Sequence, residues 1–293
     1  MFGKTIVEKD FHGKKFKEYL KKKLRLSHKT IISLKQNHGT CVNGVVKKVN
    51  KLLVEGDVIT LNFPVVVESE ILSEEMDLEI AFEDKYIIVV NKKAGIPVHP
   101  CRNYQSGTLA NGLMHRFKTA NERATIHPVT RLDRNTSGLT LFAKDPHIQH
   151  LLNLEEYKSR FIKEYIAFIE GEMVPDQGFI NLPIDRLEEG KIRRGVVENG
   201  APSITEYKTL KKTGIYSEIS VILHTGRTHQ IRVHFSHLGH PLLGDDIYGG
   251  DCTLISRQAL HAKKLTFIHP ITDKEIVISS EMPEDMEALE IIK

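Results

Sequence analysis

The sequence predicts an α+β protein of two domains, and three observations support this prediction. Apolar residues occur both at helical spacing and in alternating or β-branched runs along the 293-residue chain. A content of 40% hydrophobic and 27% charged residues is ordinary for a globular protein with a sizeable core. The charge changes sign along the chain, because residues 1–51 hold 14 Lys or Arg against 3 acids, whereas the rest hold 27 against 35. We predict domains at 11–62 and 78–293, joined by a linker at 63–77.

The N-terminal domain is predicted to contain two short helices followed by a hairpin. Phe16, Tyr19 and further apolar residues recur at helical spacing. Ser27 can cap the second helix through its side-chain oxygen. Asn43-Gly44 between two valines is a strong signal for a two-residue hairpin turn.

This domain is strongly basic, which is the electrostatic signature of a surface that binds a phosphate backbone, although a merely solvated basic face is the plainer alternative. The order of its elements, with Arg25-Leu-Ser27, Gly39-Thr-Cys-Val-Asn-Gly44 and Leu53-Val-Glu-Gly-Asp-Val-Ile59, resembles the alpha-L RNA-binding fold that is named after a small-subunit ribosomal protein. The resemblance implies that five side chains position RNA phosphates: Lys22, Lys23, Arg25, Lys29 and Lys35.

The linker and the start of the second domain are predicted from composition. Residues 63–77 are acidic and lack strong periodicity, and they coincide with the change of charge sign. Tyr86 to Val90 is a continuous run typical of a buried strand, and Gly95 and Pro97 mark a turn after it.

The centre of the second domain is the stretch from His127 to Lys144. It sets Asp133 between Arg131 and Arg134, and then turns through Gly138 into a strand-like alternation. Three charged side chains directly before an apolar strand favour a functional role. A surface ion pair that contributes little free energy would also explain them.

Residues 131–138, Arg-Leu-Asp-Arg-Asn-Thr-Ser-Gly, resemble the catalytic motif of the RluA family of RNA pseudouridine synthases, with Asn135 where the family commonly has Asp. The most specific match is Thr-Gly-Arg-Thr-His-Gln-Ile-Arg-Val-His at 225–234, followed by Gly-Asp-x-x-Tyr-Gly at 244–249. Asn91-Lys-Lys-Ala-Gly95 resembles the segment that opens the family's domain, with Lys93 in place of a proline. The resemblance covers about residues 11 to 280.

The resemblance implies a mixed, largely antiparallel sheet with flanking helices and an active site in a cleft across the sheet. It makes Asp133 the catalytic residue and implies that Arg131 fills the space that the target uridine leaves or holds the RNA backbone. Tyr165, in a Lys-x-Tyr motif on a predicted strand, would lie against the target base, whereas propensity alone favours a half-buried strand aromatic. Leu260 would pack near the uridine, and a plain core leucine is an equal alternative.

Arg227 is the residue that the resemblance suggests as the ion-pair partner of Asp133. Gly226 permits a sharp turn before it, and we expect an extended segment to follow. In that segment three polar residues would share one face: Gln230, Arg232 and His234. A neighbouring guanidinium favours the charged carboxylate, so Asp133 is expected to act as nucleophile or base.

The reaction implied is an isomerisation, in which the bond between ribose and N1 of uracil breaks, the base turns, and C5 joins the same sugar carbon. It needs no cofactor, which agrees with the lack of a phosphate-binding loop motif. The many histidines have no thiolate partners at zinc spacing, so no metal is predicted.

The partner predicted is RNA, either ribosomal or transfer RNA with ribosomal RNA favoured, and the protein is predicted to be a monomer. The longest apolar runs are too short to span a bilayer, and the first residues lack the apolar stretch of a secretion signal. Three separated cysteines suit a reducing compartment, so we expect a cytoplasmic protein.

Two other classes of function stay open. One is an RNA-binding or ribosome-assembly factor without activity. The other is a hydrolase of N-glycosidic bonds, but such sites usually need a second carboxylate or a metal to activate water, and none is apparent near Asp133.

Overall fold

The computed structural model describes residues 4–63, 71–102, 104–189 and 192–291. The chain forms two compact units. The first contains the described residues up to 63 together with 146–151, and the second contains 71–145 and 152–291.

Residues 4–63 of the first unit form two helices and a four-stranded antiparallel sheet with the strand order β1-β4-β2-β3. The elements are α1 Phe16–Lys22, α2 His28–Gln36, β1 Thr5–Ile6, β2 Thr40–Val42, β3 Val45–Val46 and β4 Val58–Leu61, with a short 3-10 turn at Lys9–Phe11. Oγ of Ser27 accepts a hydrogen bond of 3.0 Å from the backbone N–H of Thr30 and so caps α2. Asn43 and Gly44 have φ angles of 53° and 78° and join β2 to β3. The predicted helices, cap and hairpin are therefore present.

The second unit is built on a large sheet. Its strands are β5 Glu79–Glu83, β6 Ile87–Lys92, β7 His127–Pro128, β8 Ser137–Ala143, β9 Ile162–Glu170, β10 Gln177–Asn181, β11 Ile184–Arg186, β12 Arg194–Val196, β13 Ile204–Lys212, β14 Tyr216–Leu223, β15 Leu260–Ile268 and β16 Glu275–Ser279. The order is β10-β13-β14-β9-β15-β8-β6-β5, with β16 paired to β15 and β7 paired to β8, while β11 and β12 form a separate ribbon. Among the described strand pairs, β8 and β15 run parallel and the others run antiparallel. The predicted mixed, largely antiparallel sheet is confirmed.

Helices cover both faces of this sheet. The further helices of the chain are α3 Leu109–Thr119, α4 Pro146–Leu152, α5 Glu155–Lys158, α6 Gln230–His237 and α7 Glu284–Ile291, of which α4 lies almost entirely in the first unit. Alternation along β9 divides its side chains between two apolar clusters. One face of β9 packs with α6: Tyr165, Ala167, Ile169, Ile231 and Phe235. The other face packs with α7: Ile166, Phe168, Met286 and Leu289.

Residues 71–77, which were predicted to belong to the linker, contact α3. Ile71 and Met76 pack against the apolar cluster of that helix. The backbone N–H of Glu74 donates to the carbonyl of Asn111 at 3.2 Å, and Nδ2 of Asn111 donates to the carbonyl of Leu72 at 2.9 Å. Residues 64–70 lie outside the described part of the chain. None of the described helices combines the length and the apolar composition that crossing a bilayer requires.

Candidate active site

A cavity of about 630 Å³ opens in the second unit. Its walls come from the loop before β8, from β9, from the segment before α6 and from the start of β15. Five residues predicted from the sequence to belong to the site line it together: Arg131, Asp133, Tyr165, Arg227 and Leu260. These residues are distant in the chain, and the pairing of β8 and β9 with β15 brings three of the walls together.

The Asp133 loop, residues 131–136, is held in place by its backbone. The carbonyl of Asp133 accepts a hydrogen bond of 3.1 Å from the N–H of Thr136, which closes a turn. Gly138 follows with a φ of 108°, and a Cβ at this position would collide with the backbone of Ala262 on β15. Only glycine satisfies both conditions, so Gly138 lets the loop and β15 approach closely.

Lys92 lies behind the Asp133 loop and was not predicted from the sequence to belong to the site. Its side chain is buried, and Nζ donates to the carbonyls of Arg134 at 2.8 Å and Lys93 at 3.0 Å. Burial lowers the pKa of Lys92 to about 7, although the charge of Asp133 acts in the opposite direction. The sequence feature that could have identified Lys92 is its position as a lysine at the end of a strongly apolar strand.

Asp133 pairs with Arg232 and not with Arg227. Nη1 of Arg232 lies 3.1 Å from Oδ2 of Asp133, and Nε2 of His229 lies 3.8 Å from the same oxygen. Nε of Arg227 instead donates to the carbonyl of Pro202 at 3.2 Å. The expected ion pair between Arg227 and Asp133 is therefore wrong, although Arg227 does line the cavity.

The local fold explains this difference. The segment after Arg227 is the helix α6 and not the expected extended strand, and its left-handed residue is His229, with a φ of 58°. Oε1 of Gln230 accepts from the backbone N–H of Arg227 at 3.0 Å, and its Nε2 donates to the carbonyl of Ile204 at 3.0 Å. These bonds hold Arg227 ahead of the helix, while Arg232 follows within it.

Asp245 is the second partner of Arg232. It is fully buried and accepts hydrogen bonds of 2.7 and 2.8 Å from Nε and Nη2 of Arg232. Burial alone would lower the pKa of Arg232, but the hydrogen bonds to Asp245 and the charges of Asp245 and Asp133 raise it. Arg232 therefore stays charged between two carboxylates.

Tyr248 completes this group of residues. Its ring centre lies 5.0 Å from the guanidinium carbon of Arg232, and its hydroxyl lies 2.8 Å from Nδ1 of His229. Asp245 and Tyr248 are both part of the Gly-Asp-x-x-Tyr-Gly segment, but neither was assigned a role from the sequence. The roles of Asp245 and Tyr248 depend on their contacts with α6, which was predicted to be an extended segment.

Tyr165 and Leu260 form an apolar wall of the cavity beside Asp133. Both belong to the cluster between the sheet and α6, and they are 6% and 5% exposed. Burial, with a further contribution from the charge of Asp133, raises the pKa of the Tyr165 phenol, so it stays neutral. The wall therefore presents an apolar surface with a neutral hydroxyl.

The cavity also has a cationic side. Arg131, Lys163 and Arg227 line it, and no described carboxylate forms an ion pair with any of them. Among the described residues that line the cavity, Asp133 is the only acidic one. No group of three or more His, Cys, Asp or Glu side chains in the described ranges is arranged to hold a metal ion. The arrangement provides one carboxylate, an apolar wall and several cations.

Comparisons with known proteins agree with this arrangement. The family model for RNA pseudouridylate synthase matches residues 86–237. The uncharacterized RNA pseudouridine synthase YjbO of Bacillus subtilis is 38% identical over 91% of this chain and 95% of its own length. Ribosomal large subunit pseudouridine synthase D of Xylella fastidiosa is 33% identical over 84% of this chain and 78% of its own.

A solved structure is also similar. Human RNA Pseudouridylate Synthase Domain Containing 1 matches with a TM-score of 0.57 and 26% identity, over 70% of this chain and 83% of that one. The resemblance of the second domain's motifs to RNA pseudouridine synthases is therefore confirmed. The chain belongs to the RNA pseudouridylate synthase family and is an RNA pseudouridine synthase.

Proposed function

We propose that the protein isomerises specific uridines of ribosomal RNA to pseudouridine, with Asp133 as its catalytic carboxylate. One observation carries this proposal. Asp133 is the only acidic residue among the described cavity residues, and its Oδ2 lies 3.1 Å from a buried guanidinium that is itself anchored on Asp245.

The chemistry needs one carboxylate in its charged form. Asp133 either attacks C1′ of the ribose or removes the proton at C2′ to give a glycal, and both routes release the base from the sugar. The freed uracil then turns and C5 forms a bond to C1′. In the first route this bond displaces the Asp133 carboxylate from C1′, and in the second route the proton returns to C2′ as C5 adds. The proton at C5 is then lost, and N1 gains a proton. No atom is added or removed overall, so a second carboxylate that activates water is unnecessary.

The walls of the cavity suit a uridine that has left its helix. Removing a base from the stack costs roughly a few kcal/mol, which contacts in the pocket must offset. Tyr165 offers a ring surface to the base, and Leu260 packs beside it. Arg131 is exposed and has no described carboxylate partner, so it can fill the vacated space or hold the RNA backbone.

The first unit is proposed to bind the RNA backbone as an alpha-L domain. The five basic residues predicted to contact phosphates are all exposed: Lys22, Lys23, Arg25, Lys29 and Lys35. Lys22 pairs with Glu18 at 2.9 Å and Lys23 pairs with Glu8 at 2.7 Å. Exposed pairs of this kind contribute little free energy, so phosphate groups can replace the carboxylates at low cost.

Ribosomal RNA is the proposed substrate, with transfer RNA as the alternative. The name of the Xylella fastidiosa relative specifies the large ribosomal subunit, and the resemblance of the first unit to a ribosomal protein domain points the same way. The cytoplasmic location and the monomeric state stay predictions.

The experiment that tests this proposal maps pseudouridine across all RNAs in three strains. One carries the wild-type gene, one lacks it, and one carries Asp133→Ala. Ribosomal RNA sites that disappear in both altered strains would support ribosomal RNA as the substrate and Asp133 as the catalytic residue. If the lost sites lie in transfer RNA instead, transfer RNA would be the substrate. Sites that persist with Asp133→Ala would remove Asp133 from the mechanism, and release of free uracil by the purified enzyme would indicate a hydrolase.

A further inference from the structure

We propose that Arg257 is a positioning residue, which holds the Asp133 loop and the Asp245 turn in register, and that α7 supports it through Asp285. This inference rests on the proposed role of Asp133. Arg257 itself is not among the described residues that line the cavity, so any effect on the reaction must pass through the residues it holds.

The guanidinium of Arg257 is bonded to the Asp133 loop. It is 7% exposed, and Nη1 donates to the carbonyl of Asn135 at 3.2 Å. Nη1 also donates to the carbonyls of Gln258 at 3.1 Å and Leu260 at 3.4 Å. One side-chain nitrogen thus ties the Asp133 loop to the start of β15, where Leu260 lines the cavity.

The backbone around Arg257 contacts the Asp245 turn. Gly244 has a φ of 74°, and a Cβ there would collide with the carbonyl of Arg257. The N–H of Ala259 donates to the carbonyl of Leu243 at 2.8 Å. The chain around Arg257 is therefore packed against the residues that directly precede Asp245.

Residues 257–259 thus contact both segments that carry the carboxylates bonded to Arg232. On one side they bond to the Asp133 loop, where Nε2 of Gln258 also donates to Oγ1 of Thr136 at 3.2 Å. On the other side they pack against the turn that carries Asp245. Since Arg232 bonds to both Asp133 and Asp245, a shift of either segment would change the ion pair at Asp133.

Asp285 of α7 is the counterion of Arg257. Its carboxylate accepts hydrogen bonds of 2.6 and 2.8 Å from Nε and Nη2, in the two-pronged geometry that only arginine provides. Asp285 lies in the first turn of the helix, where a negative charge is favoured. Burying a guanidinium without a carboxylate would leave its desolvation cost uncompensated. Asp285 therefore keeps Arg257 directed inward towards Asn135.

The helix is fixed independently of this pair. Met286 and Leu289 are buried against the sheet, and the hydroxyl of Tyr216 donates to the carbonyl of Leu289 at 2.5 Å. Removing the charge of Asp285 should therefore leave α7 in place and act on Arg257 alone.

The test compares Asp285→Asn with Glu284→Gln in the full-length protein. Both substitutions remove one negative charge from the first turn of α7, but only Asp285 bonds to Arg257. In single-turnover assays at saturating enzyme, we expect Asp285→Asn to lower the rate constant by about tenfold or more, equivalent to about 1.4 kcal/mol. The Kd for RNA should stay unchanged. Glu284→Gln should match the wild type, and Asp285→Glu should recover most of the loss.

Hydrogen exchange provides a readout that does not depend on activity. Amides of residues 131–137 should exchange faster in Asp285→Asn and in Arg257→Lys than in Glu284→Gln, while amides of α7 stay protected. Equal rate constants and equal exchange in Asp285→Asn and Glu284→Gln would overturn the inference. If Asp285→Asn made the amides of α7 exchange as much faster as those of residues 131–137, the inference would also be overturned, because the helix would then act as general support. A wild-type protein that makes no pseudouridine would instead contradict the proposed function, and the exchange data would still decide whether Arg257 positions the loop.

Discussion

Arg232 and Asp133 are joined by a hydrogen bond of 3.1 Å between Nη1 and Oδ2, and the same guanidinium makes two further bonds to the fully buried Asp245. Arg232 is thus held by Asp245 through Nε and Nη2, and it bonds to Asp133 through Nη1. Because the anchor is buried, the pair orients Asp133 without a second acidic residue from the described cavity walls.

The first prediction distinguishes Arg232 from Arg227. Arg232→Gln leaves Asp245 buried without its counterion, so we expect a loss of about 3–5 kcal/mol in the free energy of unfolding. Pseudouridine formation should fall to background. Arg227→Gln removes only a bond to the carbonyl of Pro202, so its unfolding free energy should change by about 1 kcal/mol or less.

Chemical denaturation and single-turnover assays check this prediction. Asp245→Asn is a second variant that keeps the shape of the buried partner, and it should lose activity even if it stays folded. A stable, fully active Arg232→Gln enzyme would contradict the role of the pair.

The second prediction concerns Tyr165. Its ring packs in the cluster with Leu260, and its hydroxyl makes no hydrogen bond to a described residue. Tyr165→Phe keeps the ring surface and should retain activity within about tenfold, equivalent to about 1.4 kcal/mol. Tyr165→Ala opens a cavity and should cost about 3–5 kcal/mol in unfolding free energy as well as most of the activity. Single-turnover rates for both variants check this, and loss of all activity in Tyr165→Phe would show that the hydroxyl takes part.

The third prediction is a pH dependence of stability that arises from Lys92. Its pKa is about 7 in the folded state, whereas an unfolded lysine keeps its usual higher value. Between these values the unfolded chain binds the additional proton, so stability rises with pH above about 7, by at most about 1.4 kcal/mol per pH unit. Below that pH both states are protonated and this contribution is constant.

Lys92→Met should remove this slope. Lys93→Met is the matched control, because Lys93 is exposed and pairs with Asp77. Urea denaturation at pH values from about 7 to about 10, the range between the two pKa values, measures the difference. An unchanged slope in Lys92→Met would show that another group produces it.

The fourth prediction tests the first unit as an RNA-binding surface. Lys29 and Lys35 are exposed on α2 and have no described carboxylate partner. Replacing both with alanine should weaken RNA binding and reduce the slope of log affinity against log salt by about 0.7–0.9 for each phosphate that the variant no longer neutralises. The exposed pair Lys208 and Lys274 in the second unit provides the control double substitution. An unchanged slope in the α2 variant would exclude these two lysines from the interface.

Much of the fold follows from local patterns. The Ser27 cap, the Asn43-Gly44 hairpin and the alternation of β9 each depend on residues close in the chain, and each was predicted at its observed position. The strand β9 also places Tyr165 on the same face as Ala167 and Ile169, in the same apolar cluster.

The segment from 230 to 237 shows where such patterns fail. Ile231, Val233 and Phe235 alternate, which suggests a strand. The helix satisfies the same pattern because Ile231 and Phe235 pack against the sheet, whereas Val233 packs against the ribbon of β11 and β12. The environment of these residues in the tertiary structure therefore decided between the helical and the strand periodicity, both of which the sequence allowed.

The sequence by itself determined the enzyme family and the charge division between the two parts of the chain. It also identified five residues that line the cavity: Arg131, Asp133, Tyr165, Arg227 and Leu260. Only the tertiary structure decided which arginine pairs with Asp133, that Asp245 anchors it, and that Lys92 and Arg257 hold the loop. The physical reason is distance along the chain. Arg232 and Asp133 are 99 positions apart and Arg257 and Asn135 are 122 apart, so no local pattern in the sequence could indicate either contact.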